Sequence, residues 1–362
     1  MPRFLLFPLR ILPLTALIAL SLATPFLVAQ QPAPSPNVQK NDQKKDAPKQ
    51  GQQSGDQQQE PTETLKVNVR VVQLFFNVKD KHGALIPNLT KDDFEIAEDG
   101  KPQTIKYFTA ESNLPLTLGI MIDASGSQLR VLDMEKEVGG AFLKQVLTDK
   151  DEAYVMSFDV TADLLQDFTR DVHRLQKALD SVKINTGFVS AGLPGSGGGP
   201  VPIHNAAGTV LYDAVYLSAH DMLSKEVGRK AMILLTDGED EGSKLKMRDA
   251  IEAAQKADAI VYVLLCADRG SYFSQGLGYS GEGEMRKLTE QTGGRVINVG
   301  NKFDKLREAF DQIATELRSQ YNIGYTPINP ALDGSYRKLE IKNKQGNKIQ
   351  ARAGYYAIAH EE

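Results

Sequence analysis

A single cysteine, Cys266, stands in 362 residues, so neither an intramolecular disulfide nor a thiolate metal cluster can form. It falls inside the apolar run AIVYVLLCA, where a buried small hydrophobe is expected. Neither sign of charge dominates: 42 Lys and Arg face 46 Asp and Glu, for a net charge of −4. The cations are scattered instead of striped, which argues against nucleic acid as a partner. Catalytic signatures are missing as well. No G-x-S-x-G elbow surrounds Ser125, and no histidine follows in a triad pattern. A phosphoryl-transferring aspartate would want a second carboxylate two residues after Asp123, where Ser125 stands. The run GLPGSGGGP lacks the Lys and Ser/Thr of a phosphate loop. His204 and His220 are expected in surface or core roles. No enzyme is expected here.

The amino terminus reads as a targeting segment. Arg3 and Arg10 flank a first apolar patch, Ile11 to Ala29 is nearly uncharged, and Ala23 and Ala29 offer small residues for cleavage. Residues 1–29 are therefore expected to be a signal peptide and the protein to be exported, to the periplasm or the cell exterior. The run is also long enough to span a bilayer, so an uncleaved membrane anchor is the alternative. Residues 30–62 are rich in Gln, Pro and Lys and nearly devoid of apolar residues, which leaves nothing to offset the entropy of ordering. A spacer is expected there.

Residues 63–112 show strand composition, with Val67, Val69 and Val71 alternating with polar residues and turns at Asp80–Gly83 and Asp99–Gly100. Residues 321–362 show the same pattern, split by turns at Asp333–Gly334 and Gln345–Gly346. Each piece is too small to bury two faces alone. The two are expected to pair into one antiparallel β unit, as a composite sheet or a sandwich.

Between them, in residues 113–320, helix and strand patterns alternate, which predicts an α/β fold with a doubly wound, mostly parallel sheet. Met134, Val138, Phe142 and Val146 mark one helix stripe, and Leu164 to Phe168 an edge strand. The run LTLGIMID lacks the polar alternation of a half-exposed strand and reads as buried on both faces. Asp123, Ser125 and Ser127 follow at alternate positions past its carboxyl end, where open α/β sheets place their ligand sites. Two further segments complete the pattern: GTVLYDAV, in which Thr209 is placed to cap a helix, and MILLTDGED, in which Asp237 follows a second apolar strand. Glu239, Asp240 and Glu241 read as a solvated loop, and Asp159 as a turn residue.

This D-x-S-x-S motif with its downstream Thr and Asp resembles the metal-ion-dependent adhesion site of von Willebrand factor type A domains, over roughly residues 113–320. The flanks LTKDDFEIAEDGKPQTIKYF and RAGYYAI resemble those of exported A-domain proteins of acidobacteria. The resemblance implies hydroxyl ligands from Ser125, Ser127 and Thr209, with Asp123 and Asp237 holding the ion mostly through water. It implies Mg²⁺, with Mn²⁺ or Ca²⁺ as alternatives. A small hard cation wants about six oxygens and sheds water reluctantly, so one position is left for a ligand. The implied partner is a protein that presents an Asp or Glu carboxylate. A non-enzymatic envelope scaffold is the first alternative and a hydrolase a distant second. The long Gly-rich loop before Thr209 departs from shorter versions of the domain and leaves open whether Thr209 is held in place before a ligand arrives.

Overall fold

The computed structural model describes residues 71–110, 114–185, 188–189, 201–202, 208–266 and 281–358. The targeting segment, the spacer, the strand pattern at Val67–Val69, His204 and most of the Gly-rich loop lie outside the described residues. Among those described, no helix is long and apolar enough to cross a membrane.

The chain enters through β1 (Val72–Lys79), β2 (Phe94–Glu98), β3 (Lys101–Gln103) and β4 (Ile105–Thr109). The α/β part follows with β5 (Leu116–Asp123), α1 (Leu132–Val146), β6 (Glu152–Phe158), β7 (Ala162–Thr169) and α2 (Val172–Ser181). A two-residue pair, β8 (Phe188–Val189) and β9 (Val201–Pro202), precedes α3 (Leu211–Leu217). Then come β10 (Arg229–Thr236), α4 (Met247–Lys256), β11 (Ala259–Leu265), α5 (Gly281–Thr292), β12 (Val296–Asn298) and α6 (Phe303–Arg318). The carboxyl-terminal strands are β13 (Tyr321–Tyr325), β14 (Tyr336–Asn343), β15 (Lys348–Ala351) and β16 (Gly354–Tyr356).

Six strands form the central sheet in the order β12-β11-β10-β5-β6-β7, parallel throughout except for the antiparallel edge strand β7. All eight residues of β5 are buried, because helices cover both faces of a parallel sheet. Leu118, Ile120 and Ile122 pack against α1, α2 and α6, whereas Met121 faces α3, α4 and α5. Gly119 is required on that second face: the Tyr154 ring lies where a Cβ would project. From β5 the chain winds through β6 to the β7 edge and then returns to β10 on the opposite side of β5. The direction of winding therefore reverses between β5 and β10, and ligand crevices in such sheets open at the carboxyl ends of the two strands that flank the reversal.

The flanking strands form two four-stranded antiparallel sheets, β15-β1-β13-β4 and β16-β14-β2-β3. Each draws on both ends of the chain: β1 lies between β13 and β15, and β14 pairs with β2. One core joins the two sheets, with Leu74, Phe76, Phe94, Ile96, Tyr321 and Ile323 buried together. This is a sandwich and not a single composite sheet. It is tied to α6 by polar groups, since the Lys79 ammonium meets the Glu316 carboxylate at 2.8 Å and the Asn77 amide donates to the Glu316 carbonyl at 2.9 Å. Arg295 approaches the same carboxylate at 2.7 Å, so the buried Glu316 is compensated from two sides.

One sequence expectation needs correction and another an addition. The helix read from Thr209 to Leu223 is α-helical only over α3 and widens into a π turn at Ser218–Met222, followed by a 3-10 turn at Leu223–Lys225. The buried face of α1 runs through Glu135 and Val138 to Phe142 and Val146, while Met134 sits only partly buried at its edge.

Candidate functional site

Asp123 is the last residue of β5 and Asp237 the first after β10, so the two neighbouring strands deliver their carboxylates to the point where the winding reverses. Both are buried. Asp123 Oδ1 accepts from the Ser125 amide at 2.9 Å, and its Oδ2 accepts from the Thr236 hydroxyl at 2.6 Å. Burial, and then the nearby Asp237 charge, push the Asp123 carboxyl up to about 7, against the opposing bonds from Ser125 and Thr236. Two carboxyls buried this close together are each harder to ionise, and a cation brought between them would favour the charged form of both.

Ser125 and Ser127 lie on the turn between β5 and α1. Their hydroxyl oxygens are 3.0 Å apart, at the exposed lip above Asp123. The buried Gln128 donates to Ser127 Oγ at 3.4 Å. Asp237 Oδ1 accepts from the Glu239 amide at 3.1 Å, and Gly238 takes a left-handed φ of +84° packed against Met285 and Leu265. That turn aims the chain back across the sheet end.

Thr209 does not cap α3. Val210 occupies the capping position, and the first-turn amides are satisfied from another loop: Tyr212 donates to Asp240 Oδ1 at 3.2 Å and Asp213 to Ser243 Oγ at 3.1 Å. The clamp is reciprocal. The Asp213 carboxylate accepts from the Lys244 and Leu245 amides, and the Thr209 carbonyl accepts from the Glu241 and Gly242 amides at 3.1 Å. Val210 also donates to the Asp159 carbonyl at 2.7 Å. The backbone at Thr209 is therefore pinned to the loop that carries Asp237, whatever the length of the Gly-rich segment before it. Among the described residues no group takes up the Thr209 hydroxyl. Asp240 is thus a structural cap and not merely a solvated loop residue.

Three contributors were not singled out from the sequence. Thr236 bridges Asp123 and the Gly238 amide, the latter at 3.0 Å. Gln128 supports Ser127. Glu135, on the inner face of α1, is fully buried beside the Cys266 thiol, and among the described residues no nitrogen or oxygen group donates to either of its carboxyl oxygens. Burial is the main cause that raises its carboxyl to about 8; the neighbouring Cys266 thiol favours the charged form, and Asp123 and Asp237 oppose it. A glutamate three residues before Val138 on an apolar stripe was the available signal. Cys266 is buried as expected, its thiol pushed up by burial and by Glu135.

Among the described residues no group of three or more His, Cys, Asp and Glu side chains is arranged to hold a metal. What this end of the sheet offers is two buried carboxylates, the Ser125 and Ser127 hydroxyls on the adjoining turn, and the Thr209 backbone tied to the Asp237 loop; oxygen is the donor type that hard divalent cations take. His220 is on the surface, stacked on Tyr216 and paired with Asp221.

No protein-family model and no curated protein matches the chain. Solved structures do. A von Willebrand factor type A protein from Catenulispora acidiphila is 13% identical, covering 81% of this chain and 75% of that one, with a TM-score of 0.43. The vWF domain of the type V pili tip protein Mfa5 from Porphyromonas gingivalis is 12% identical over 56% of this chain and 94% of that one, at a TM-score of 0.40. Proximal thread matrix protein 1 from the mussel byssus, described with a zinc-occupied MIDAS motif, is 15% identical over 60% and 48% of the two chains, at a TM-score of 0.43. The solved structures to which the chain is similar thus include von Willebrand factor type A domains.

Proposed function

We propose that the chain is an exported, non-enzymatic protein-interaction module whose carboxyl-end crevice holds a divalent cation, Mg²⁺ foremost, and through it a carboxylate of a protein partner. The observation that carries this reading is the pair of buried carboxylates, Asp123 and Asp237, at the switch point of the sheet beside the exposed Ser125 and Ser127 hydroxyls. Ser125, Ser127 and Thr209 would hold the ion directly, and Asp123 and Asp237 from behind, through water and through the hydroxyls. A cation held this way keeps much of its charge toward solvent and supplies the attraction for an incoming Asp or Glu. Thr236 keeps Asp123 oriented, and the clamp between the Thr209 and Asp237 loops keeps the two halves of the site in register. The group beside Ser125 Oγ is another hydroxyl and not a base, which favours recognition over bond chemistry. Export rests on the apolar segment at residues 11–29 and the polar spacer behind it.

Capture of partners from the native cell envelope on the immobilised chain, in Mg²⁺ and then in chelator, tests the reading. A partner released by chelator and by Thr209→Ala, and no longer bound once one of its own Asp or Glu residues is neutralised, supports it. Capture that chelator leaves unchanged makes the chain a scaffold whose contacts do not pass through an ion.

A further inference from the structure

A second concave feature lies at the other end of β10. A cavity of about 760 Å³ opens where the starts of β10 and β11 meet β1 of the sandwich, within the size range of small-molecule sites. Seven residue steps of β10 separate it from the carboxyl-end crevice, on the order of 23 Å at the rise of a strand, so the two sites are distinct.

Its walls are set before any ligand arrives. Gly228 takes φ +91°, with the Pro115 carbonyl oxygen 2.8 Å from where a Cβ would stand, and the Arg229 amide donates to that same carbonyl. On the facing wall the β1 alternation puts Leu74 and Phe76 into the sandwich core and turns Phe75 outward, into the cavity. An aromatic on the outward face of a strand is left without the core packing its neighbours have.

The charges in the cavity are unevenly compensated. Arg352 is paired with the Asp258 carboxylate and also donates to the Gln73 carbonyl at 2.8 Å. Lys230 has a single bond, 2.8 Å to the Glu226 carbonyl oxygen, and no carboxylate among the described residues lies within ion-pair distance. The Glu226 side chain shares a hydrogen bond with Glu152; burial and then the Glu152 charge raise its carboxyl, against the nearby Lys230 charge, which lowers it. Burial is the main cause that lowers the Lys230 ammonium to about 8, with Arg352 adding to the effect and Glu226 opposing it. A half-buried ammonium with spare donors, and with no carboxylate in direct contact among the described residues, gains from an anion that reaches it.

We propose that this cavity is a second, metal-independent ligand site that takes a small monocarboxylate with an aromatic or branched apolar body, its carboxylate on Lys230 and its body against Phe75. Shape is supplied by the fixed turn at Gly228 and the outward ring, and specificity for an acid by the half-buried Lys230 ammonium, with the exposed Lys225 on the same lining adding positive charge.

The test uses 4-fluorobenzoate as probe, followed by ¹⁹F line broadening on the full chain, with 4-fluorobenzamide as the neutral partner of equal shape. The acid should bind saturably in the millimolar range, unaffected by chelator, and the amide at least about tenfold more weakly, a difference of about 1.4 kcal/mol. Lys230→Met, which keeps the buried stem, should abolish the preference for the acid, and Phe75→Ala should weaken acid and amide alike. Equal binding of acid and amide, no binding of the acid to the wild-type chain at 10 mM, or an unchanged preference in Lys230→Met overturns the proposal. The comparison of acid with amide needs no variant, so it decides the matter even if Lys230→Met fails to fold.

Discussion

Replacing Asp123 with asparagine should stabilise the metal-free protein at alkaline pH while removing its cation site. The side chain keeps its shape and loses its charge. Asp123 is fully buried, and its carboxyl is raised from 3.8 to about 7, first by burial and then by Asp237. The sign follows from linkage: a carboxyl whose pKa is higher in the folded state than in the unfolded state favours folding only while it keeps its proton. Its contribution to stability therefore falls as pH climbs from about 4 to about 7 and stays at the lower level above. Between pH 5 and pH 8 this one group should cost the wild-type protein on the order of 2–3 kcal/mol that the asparagine variant does not lose. Hydrogen bonds changed by the substitution are common to both pH values and largely cancel. At roughly 2–4 °C per kcal/mol for a chain of this size, the difference in melting temperature should move by about 5–10 °C in favour of the variant. Thermal unfolding followed by circular dichroism, at both pH values and in chelator, measures it. Adding Mg²⁺ at pH 8 should then raise the melting temperature of the wild type alone. A difference that does not change with pH would refute the picture of a buried Asp123 carboxyl held protonated by burial and by Asp237.

Thr236→Val removes the 2.6 Å bond to Asp123 without changing shape, and calorimetry should show cation affinity lowered about tenfold or more with the fold retained. Glu135→Leu should stabilise the protein in urea unfolding by about 1–3 kcal/mol, because it replaces a buried carboxyl whose one hydrogen-bonding neighbour among the described residues is the weakly donating Cys266 thiol; a loss of stability would mean that the carboxyl is compensated after all. A fragment of residues 63–112 should give collapsed amide resonances, since β1 loses β13 and β15 and β2 loses β14, whereas residues 113–320 should fold alone. Gly119→Ala should lower the melting temperature sharply, because the new methyl meets the Tyr154 ring in a packed layer.

The parts of the fold that could be read in the sequence are those whose cause is local. β5 and β10 announce themselves as buried parallel strands because neither alternates, and Asp123 and Asp237 stand out because a carboxylate ends each run. What stayed hidden depends on partners far along the chain. The cap of α3 comes from Asp240 and Ser243, some thirty residues beyond its first turn, so Thr209 looked like the cap it is not. Glu135 was passed over because a charge on a helix is ordinarily solvated, and only the packed α1 face shows it buried. Thr236 reads as one more strand residue until its hydroxyl is seen to reach across to β5. The flanking strands were legible as strands, but their division into two sheets was not. Pairings such as Phe75 with Asn322 join segments nearly the whole folded chain apart, and no local pattern encodes them.

The central claim is that Asp123, Ser125, Ser127, Thr209 and Asp237 form a cation site. Isothermal titration of Mg²⁺ and of Mn²⁺ into the chelator-stripped chain at pH 8, beside the Asp123→Ala variant, tests it most directly. The account predicts one saturable site in the wild type, weakening as pH falls below about 7 because protons compete for Asp123, and no site in a variant that still melts cooperatively. A variant that titrates like the wild type, or a folded wild-type chain that takes up neither ion, would contradict it.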